Sequence, residues 1–351
     1  MTSKVAVLKT SPKTIIQDYA RLLDLAEYKT KIKTKELLLK LNLSWSLYYP
    51  ACSTQPWQLE GVLNKIHKDY NIYPVENRTV VTNPEKGARL NKWNPILKKY
   101  NLPFISLTKV KWIPFHTKKY STPYLDQLFK GTHKIPEMFV GKSILHLPTI
   151  KTHGHTKITG SIKNAFGGLI TTRRHHSHKI IDEILVDLLK IQKEIHPSIF
   201  TITDGTVSGN GAGPRTMKPV TTNLILASDD PVAIDAVSAR IMGFNPLKIK
   251  FLRLAHDQNL GIADLKQIDI IGDKPPSHNF TTKKSPVVYF DQILRKKYPL
   301  MEPLLFHTPI FNLCILASAL YHDYVWYPTI GKARIRKFSK TPWGKLFRTY
   351  N

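Results

Sequence analysis

Residues 222–242 read TNLILASDDPVAIDAVSARIM. The apolar run 222–227 reads as a strand. Asp230 is placed to accept the free amides of a helix. Pro231 suits the first helical position, where its missing N–H is not needed. The spacing therefore predicts a helix running to about Met242. A strand turned directly into a helix is the building unit of α/β proteins, and the alternation continues on both sides. Residues 5–8, 36–43, 104–110, 138–147, 199–203 and 268–271 read as strands, and 11–25, 57–70, 93–100 and 180–195 as helices. The stretch 111–136, with Pro114, Pro123 and Pro136, is irregular. We expect an α/β protein of two lobes with mainly parallel sheets. The N-terminal lobe spans 1–120 and the C-terminal lobe 121–275, followed by a helical, aromatic-rich, basic appendage over 276–351.

The 351 residues are 42% hydrophobic and 22% charged, which excludes disorder, collagen and coiled coil for most of the chain. Two distant cysteines, Cys52 and Cys314, exclude a disulfide framework, a cysteine zinc site and a cysteine-ligated iron–sulfur cluster within the chain. Against 25 Asp and Glu stand 52 Lys and Arg, a formal charge of +27. Such a field attracts nucleic acid, anionic lipid or an acidic small molecule. From Lys86 to Lys119, and again from Lys332 to Arg348, cations occur with no acid among them. The apolar run 309–321, PIFNLCILASALY, falls short of the roughly 20 residues that span a bilayer. It reads first as a docked helix closing the core. With Tyr321, Tyr324, Trp326, Tyr327 and the basic tail behind it, it also suits a membrane surface. The N-terminus reads as a strand and a helix rather than a signal peptide, which with the cysteine count points to the cytoplasm.

Three segments at predicted strand ends carry candidate chemistry, since open α/β sheets bind ligands there. The first is KTHGHTKITGSIKNAFGG, 151–168. Lys151 and Lys163 can clamp an anion, and Asn164 can orient it. A helix starting near Gly160 offers its amides to a ligand, with Thr159 and Lys163 on one face. His153 and His155, two apart, would point the same way on an extended segment and act as acid or base. The second is DGTVSGNGAGPR, 204–215, where Asp204 precedes a loop whose Gly209, Gly211 and Gly213 can bring backbone amides to a ligand. The third is Asp235 on the helix after Pro231. A buried carboxylate needs a partner, either a structural cation, a site lysine or a metal. Lys40, Asn42 and Thr54 could face the same cleft from the N-terminal half.

The order of these segments resembles the domain-of-unknown-function 362 family. The resemblance rests on Lys40-Leu-Asn42, Ser53-Thr54, Lys151-Thr-His153, the run from Thr159-Gly160 through Lys163-Asn164 to Gly167, Asp204-Gly205, and Asp230-Pro231 with Asp235. It implies a cytoplasmic prokaryotic protein and supplies no activity. Many relatives carry ferredoxin-type cysteine motifs that suggest redox work, and this chain has none. A looser similarity links the His, Thr-Gly and Lys stretch to nickel-pincer lactate racemases. That similarity implies Lys163 as a cofactor tether and His153 or His155 as the proton-handling group.

The expected function is that of an enzyme holding an anionic small molecule or cofactor in an inter-lobe cleft. It would carry out proton-transfer or redox chemistry with His153, His155, Lys163 and Asp204 as catalytic groups, no metal site being assigned. The rival expectations are a nucleic-acid-binding protein and a protein peripheral to an anionic membrane surface.

Overall fold

A computed structural model describes residues 2–79, 82–170, 176–283 and 310–350, together with 289, 293 and 308. Twelve strands occur among them: β1 Ser3–Lys9, β2 Glu36–Lys40, β3 Asn71–Glu76, β4 Ile105–Ser106, β5 Trp112–Pro114, β6 Lys134–Pro136, β7 Ser143–His146, β8 Thr149–His153, β9 Lys157–Thr159, β10 Ile199–Ala212, β11 Thr216–Ser228 and β12 Ile268–Gly272. Ten of them form one sheet with the path β12-β1-β11-β10-β7-β2-β3-β4, and β8 pairs with both β10 and β9. The pairs β1–β12, β10–β7, β10–β8, β2–β7, β2–β3 and β3–β4 are parallel. Those of β11 with β1 and β10, and of β8 with β9, are antiparallel. The sheet is thus mixed and mostly parallel.

Strand β2, ELLLK, lies between two parallel neighbours, and Leu37, Leu38 and Leu39 are all fully buried. A strand covered on both faces reads as a continuous apolar run. Successive side chains alternate between the faces, so each strand feeds two cores. Val5, Val7, Leu38 and Ile144 pack beneath the helices Ser161–Leu169, Ile181–Ile195 and Pro231–Ile241. Ala6, Leu8, Leu37, Leu39 and Leu145 pack on the opposite face against the helices Ile15–Leu25 and Pro56–Ile66.

Strands from both halves interleave, because β2 sits between β3 and β7. The sheet therefore runs unbroken across the boundary expected near residue 120. The irregular 111–136 stretch is a separate two-stranded ribbon, β5 with β6, enclosing the helix Pro123–Phe129. The strand expected over 104–110 shrinks to β4, two residues at the sheet's edge. A second correction concerns 204–215. It is the body of a long β10–β11 hairpin, turning at 213–215, and no open loop. Its glycines answer to packing. A Cβ on Gly209 would lie 2.2 Å from Met217 Sδ and 3.0 Å from Lys151 Cβ, while Gly211 holds the left-handed φ of 109° that favours glycine.

At the C-terminus the helix Ile310–Ala319 continues into the wide-turned segment Leu320–Gly331, which contains Pro328, and then into the helices Lys332–Ser339 and Pro342–Thr349. Trp326, Phe338 and Trp343 are buried in the second core. The helix expected to dock over 309–321 is not packed into the core where it is described, since Leu313, Leu316 and Leu320 are exposed, and the appendage docks through Trp326, Phe338 and Trp343 instead. Most of its first part, 284–309, lies outside the described residues.

Candidate functional site

Strand β8 carries Thr149, Lys151 and His153 at alternate positions, so the three share one face. The antiparallel register sets Lys151 opposite Thr159 and His153 opposite Lys157. After His153 the chain turns at 154–156, so the two histidines do not lie on one extended segment as expected. Instead His153 Nδ1 accepts the amides of His155 (3.1 Å) and Thr156 (3.3 Å), tying the turn together. The His155 ring lies 5.8 Å from that of His153 and stacks at 4.4 Å on His178.

Lys151 is completely buried, yet its ammonium touches only neutral acceptors, Asn42 Oδ1 at 2.7 Å and Thr149 Oγ1 at 2.6 Å. No carboxylate forms an ion pair with it among the described residues. Burial is the main cause that pushes its pKa down to about 7, and the nearby Lys163 charge adds to the effect. A chain of amides runs on from Lys151. Asn42 Nδ2 donates to Asn164 Oδ1 (3.3 Å), and Asn164 Nδ2 reaches Lys40 O (3.2 Å) and His146 Nδ1 (3.3 Å). His146 Nε2 meets Gln192 Oε1 at 2.7 Å, and burial drops its pKa to about 3, so the ring is neutral. Beside this chain Thr159 Oγ1 is buried with no hydrogen-bond partner among the described residues.

Lys163 is partly exposed on the helix Ser161–Leu169, with its amine 5.4 Å from the Phe166 ring. Its charge acts on both Lys151 and His153, which places the three groups in one neighbourhood. Burial, Lys163 and the other histidines push His153 well below its ordinary value. Its ring is therefore neutral near pH 7, and it is Lys151 that titrates there. Thr159 and Lys163 do not share a helical face, because Thr159 ends β9 and the helix begins only after Gly160.

Several residues expected to touch a ligand make structural contacts. The amides at the start of the Ser161–Leu169 helix are already occupied, since the Asp235 carboxyl accepts Ser161 N at 2.7 Å and Ile162 N at 3.1 Å, while burial pushes its pKa up to about 7. Among the described residues the partner of the buried Asp235 is thus a helix terminus and not a cation. Asp204 lies within β10 and its two oxygens are filled by Tyr19 OH (2.7 Å), Trp57 Nε1 (2.9 Å) and Thr206 N and Oγ1 (3.0 and 2.8 Å). It makes no ion pair with either site lysine among the described residues. Lys40 is buried in an ion pair with Glu76 at 2.7 Å and donates to Leu41 O. Thr54 Oγ1 accepts from Asn42 N and donates to Leu147 O, which anchors Asn42 in place. Gly209 and Gly211 present their carbonyls to Thr152 Oγ1 (3.2 and 2.9 Å), and Gly213 O accepts from Gly154 N (3.2 Å).

Sequence reasoning missed Thr149, His146, Gln192 and Glu76. Their signal is modest: His146 and Glu76 are polar residues that follow apolar ones at the ends of their strands. Among the described residues no three His, Cys, Asp or Glu side chains are grouped to hold a metal ion. The open surface groove lined by Asn94, Leu97, Lys98 and residues 101–104 contains none of these groups.

Residues 37–240 match the sequence model of a family described as domain of unknown function (DUF362). The thylakoid-associated protein sll1697 of Synechocystis sp. is 26% identical over 165 residues, which are 46% of this chain and 50% of that protein. The match thus spans about half the length of that relative. A crystal structure of a Thermotoga maritima protein aligns with a TM-score of 0.41 and 11% identity, over 77% of this chain and 63% of that one.

Proposed function

The chain belongs to the DUF362 family, and from that premise we propose that it is an enzyme binding an anionic small molecule or cofactor beside Lys151 and Lys163, where the Lys151 amine transfers a proton. One observation carries this reading: Lys151 is a fully buried lysine whose ammonium is held by two neutral acceptors and forms no ion pair with a carboxylate among the described residues. A buried cation without an ion-pair partner is costly, and an incoming carboxylate or phosphate supplies one. With its pKa near 7 the same amine can give or take a proton at neutral pH. Asn42 and Asn164 orient it, and Lys163 at the half-open side draws the anion in.

The nucleic-acid alternative gains less support. In the basic 86–119 run, Lys99, Lys109 and Lys111 pair with Glu60, Glu85 and Glu137 from outside it, and the Lys92 amine binds Phe347 O. A thylakoid-associated relative favours a peripheral membrane setting for this chain instead.

Calorimetric titration with inorganic phosphate and with a dicarboxylate tests the site. Binding is expected to weaken about tenfold or more between pH 6 and pH 9, as Lys151 loses its charge. Lys151→Met is expected to bind weakly at both values. If Lys151→Met, folded by circular dichroism, binds as the wild type does, the proposal fails.

A further inference from the structure

The C-terminal helical segment is apolar on both of its sides, and among the described residues only one side is covered. Inward, Trp326 sits against Trp45 and Tyr49, and Tyr327 OH bonds Tyr48 O. Outward, Leu313, Leu316, Leu320, Tyr324, Val325 and Ile330 are exposed, Leu313 by 66% and Tyr324 by 75%. The first four recur at intervals of three and four residues, the spacing of one helical face. The one acid between 313 and 340, Asp323, turns inward to Trp45 Nε1 at 2.7 Å. Immediately beyond the apolar face come four exposed cations, Lys332, Arg336, Lys337 and Lys340. Large contiguous apolar patches are rare on soluble monomers and mark interaction surfaces. No helix among the described residues is long and apolar enough to cross a membrane.

We propose that this outer face is a membrane-docking surface that lies flat on an anionic bilayer. Its aliphatic side chains enter the acyl boundary, Tyr324 sits at the headgroup level, and the four cations meet anionic headgroups. Charge complementarity selects the occupant: cations that border an apolar face fit a negatively charged lipid surface, whereas a second copy of this chain would bring the same cations into opposition. The inference rests on the peripheral setting proposed above and gives it a named surface.

Flotation of the full chain with vesicles of neutral phosphatidylcholine, or of phosphatidylcholine with phosphatidylglycerol, tests it. The wild type is expected to float with the anionic vesicles at low salt and to stay down with the neutral ones. Leu316→Glu with Leu320→Glu is expected to lower partitioning about tenfold or more. Arg336→Glu and Lys337→Glu should each lower it about fivefold or more. These positions are exposed, so the variants retain the wild-type melting transition. If the wild type floats and the double leucine variant floats equally, the surface is wrong while the membrane setting stands. If the wild type never floats, both fall. If it elutes as a dimer that the leucine variant dissociates, the face is a contact between copies and the proposal is overturned.

Discussion

At the scale of single residues, the two buried lysines among the described residues, Lys40 and Lys151, behave oppositely. Lys40 has Glu76 at 2.7 Å, whereas Lys151 has only an amide oxygen and a hydroxyl. Removing one member of a buried pair strands the other, at about 3–5 kcal/mol. Lys40→Met should therefore lower stability by that amount in urea melts, while Lys40→Met with Glu76→Leu recovers most of it. Lys151 contributes a slope with pH. The unfolded chain keeps that proton to about pH 10.4, and the folded chain releases it near 7. Between those values unfolding takes up a proton, so this residue makes stability rise with pH. Urea midpoints at pH 7 and pH 9.5 measure it: the wild type gains over that interval, and Lys151→Met loses this gain. The pattern Lys-Thr-His was legible as chemistry because alternate residues of a strand share a face. Asn42 and Asn164 were legible as candidates for the same site, whereas His146 and Gln192 were not, since they join it through contacts distant in sequence.

At the scale of elements, the start of the Ser161–Leu169 helix shows what sequence patterns leave open. A glycine before a polar turn signals a helix start and free amides, and the chain does begin its helix there. The same signal cannot say who fills the amides. Asp235, 74 residues away, does so from the helix Pro231–Ile241, which itself starts with the expected Asp230 cap to Val232 and Ala233. Local caps are visible in sequence and distant caps are not. The joint is tight: a Cβ on Gly160 would lie 2.0 Å from Asp235 Oδ1. Gly160→Ala should thus push the two helices apart and cost about 2–3 kcal/mol, read as a lowered urea midpoint. The glycines of 205–213 misled for a related reason. Glycine count suggests a loop, but two long strands crowded against β8 need glycine as well.

At the scale of the whole molecule, the order of strands and helices follows from hydrophobic periodicity, and the sheet's continuity does not. Which strands become neighbours depends on the long-range burial of faces that all look alike in sequence. Hence β2 and β7, 37–40 and 143–146, are partners across the expected boundary. The family match ends at 240, yet the second core is completed by side chains beyond 320. Trp343 is 1% exposed, its ring lies 5.2 Å from that of Trp57, and its Nε1 donates to Asn223 Oδ1 at 2.7 Å. Trp57 in turn holds Asp204 beneath the sheet. The C-terminal helices therefore complete the core that holds Trp57, and damage to them is expected to be felt throughout. Trp343→Ala removes a buried indole and should cost about 3–5 kcal/mol. In urea, tryptophan fluorescence and far-ultraviolet circular dichroism should report one shared transition at a lower midpoint. Two separated transitions, with the main one at its wild-type position, would instead make the C-terminal helices an independent module resting on a core that stands without them.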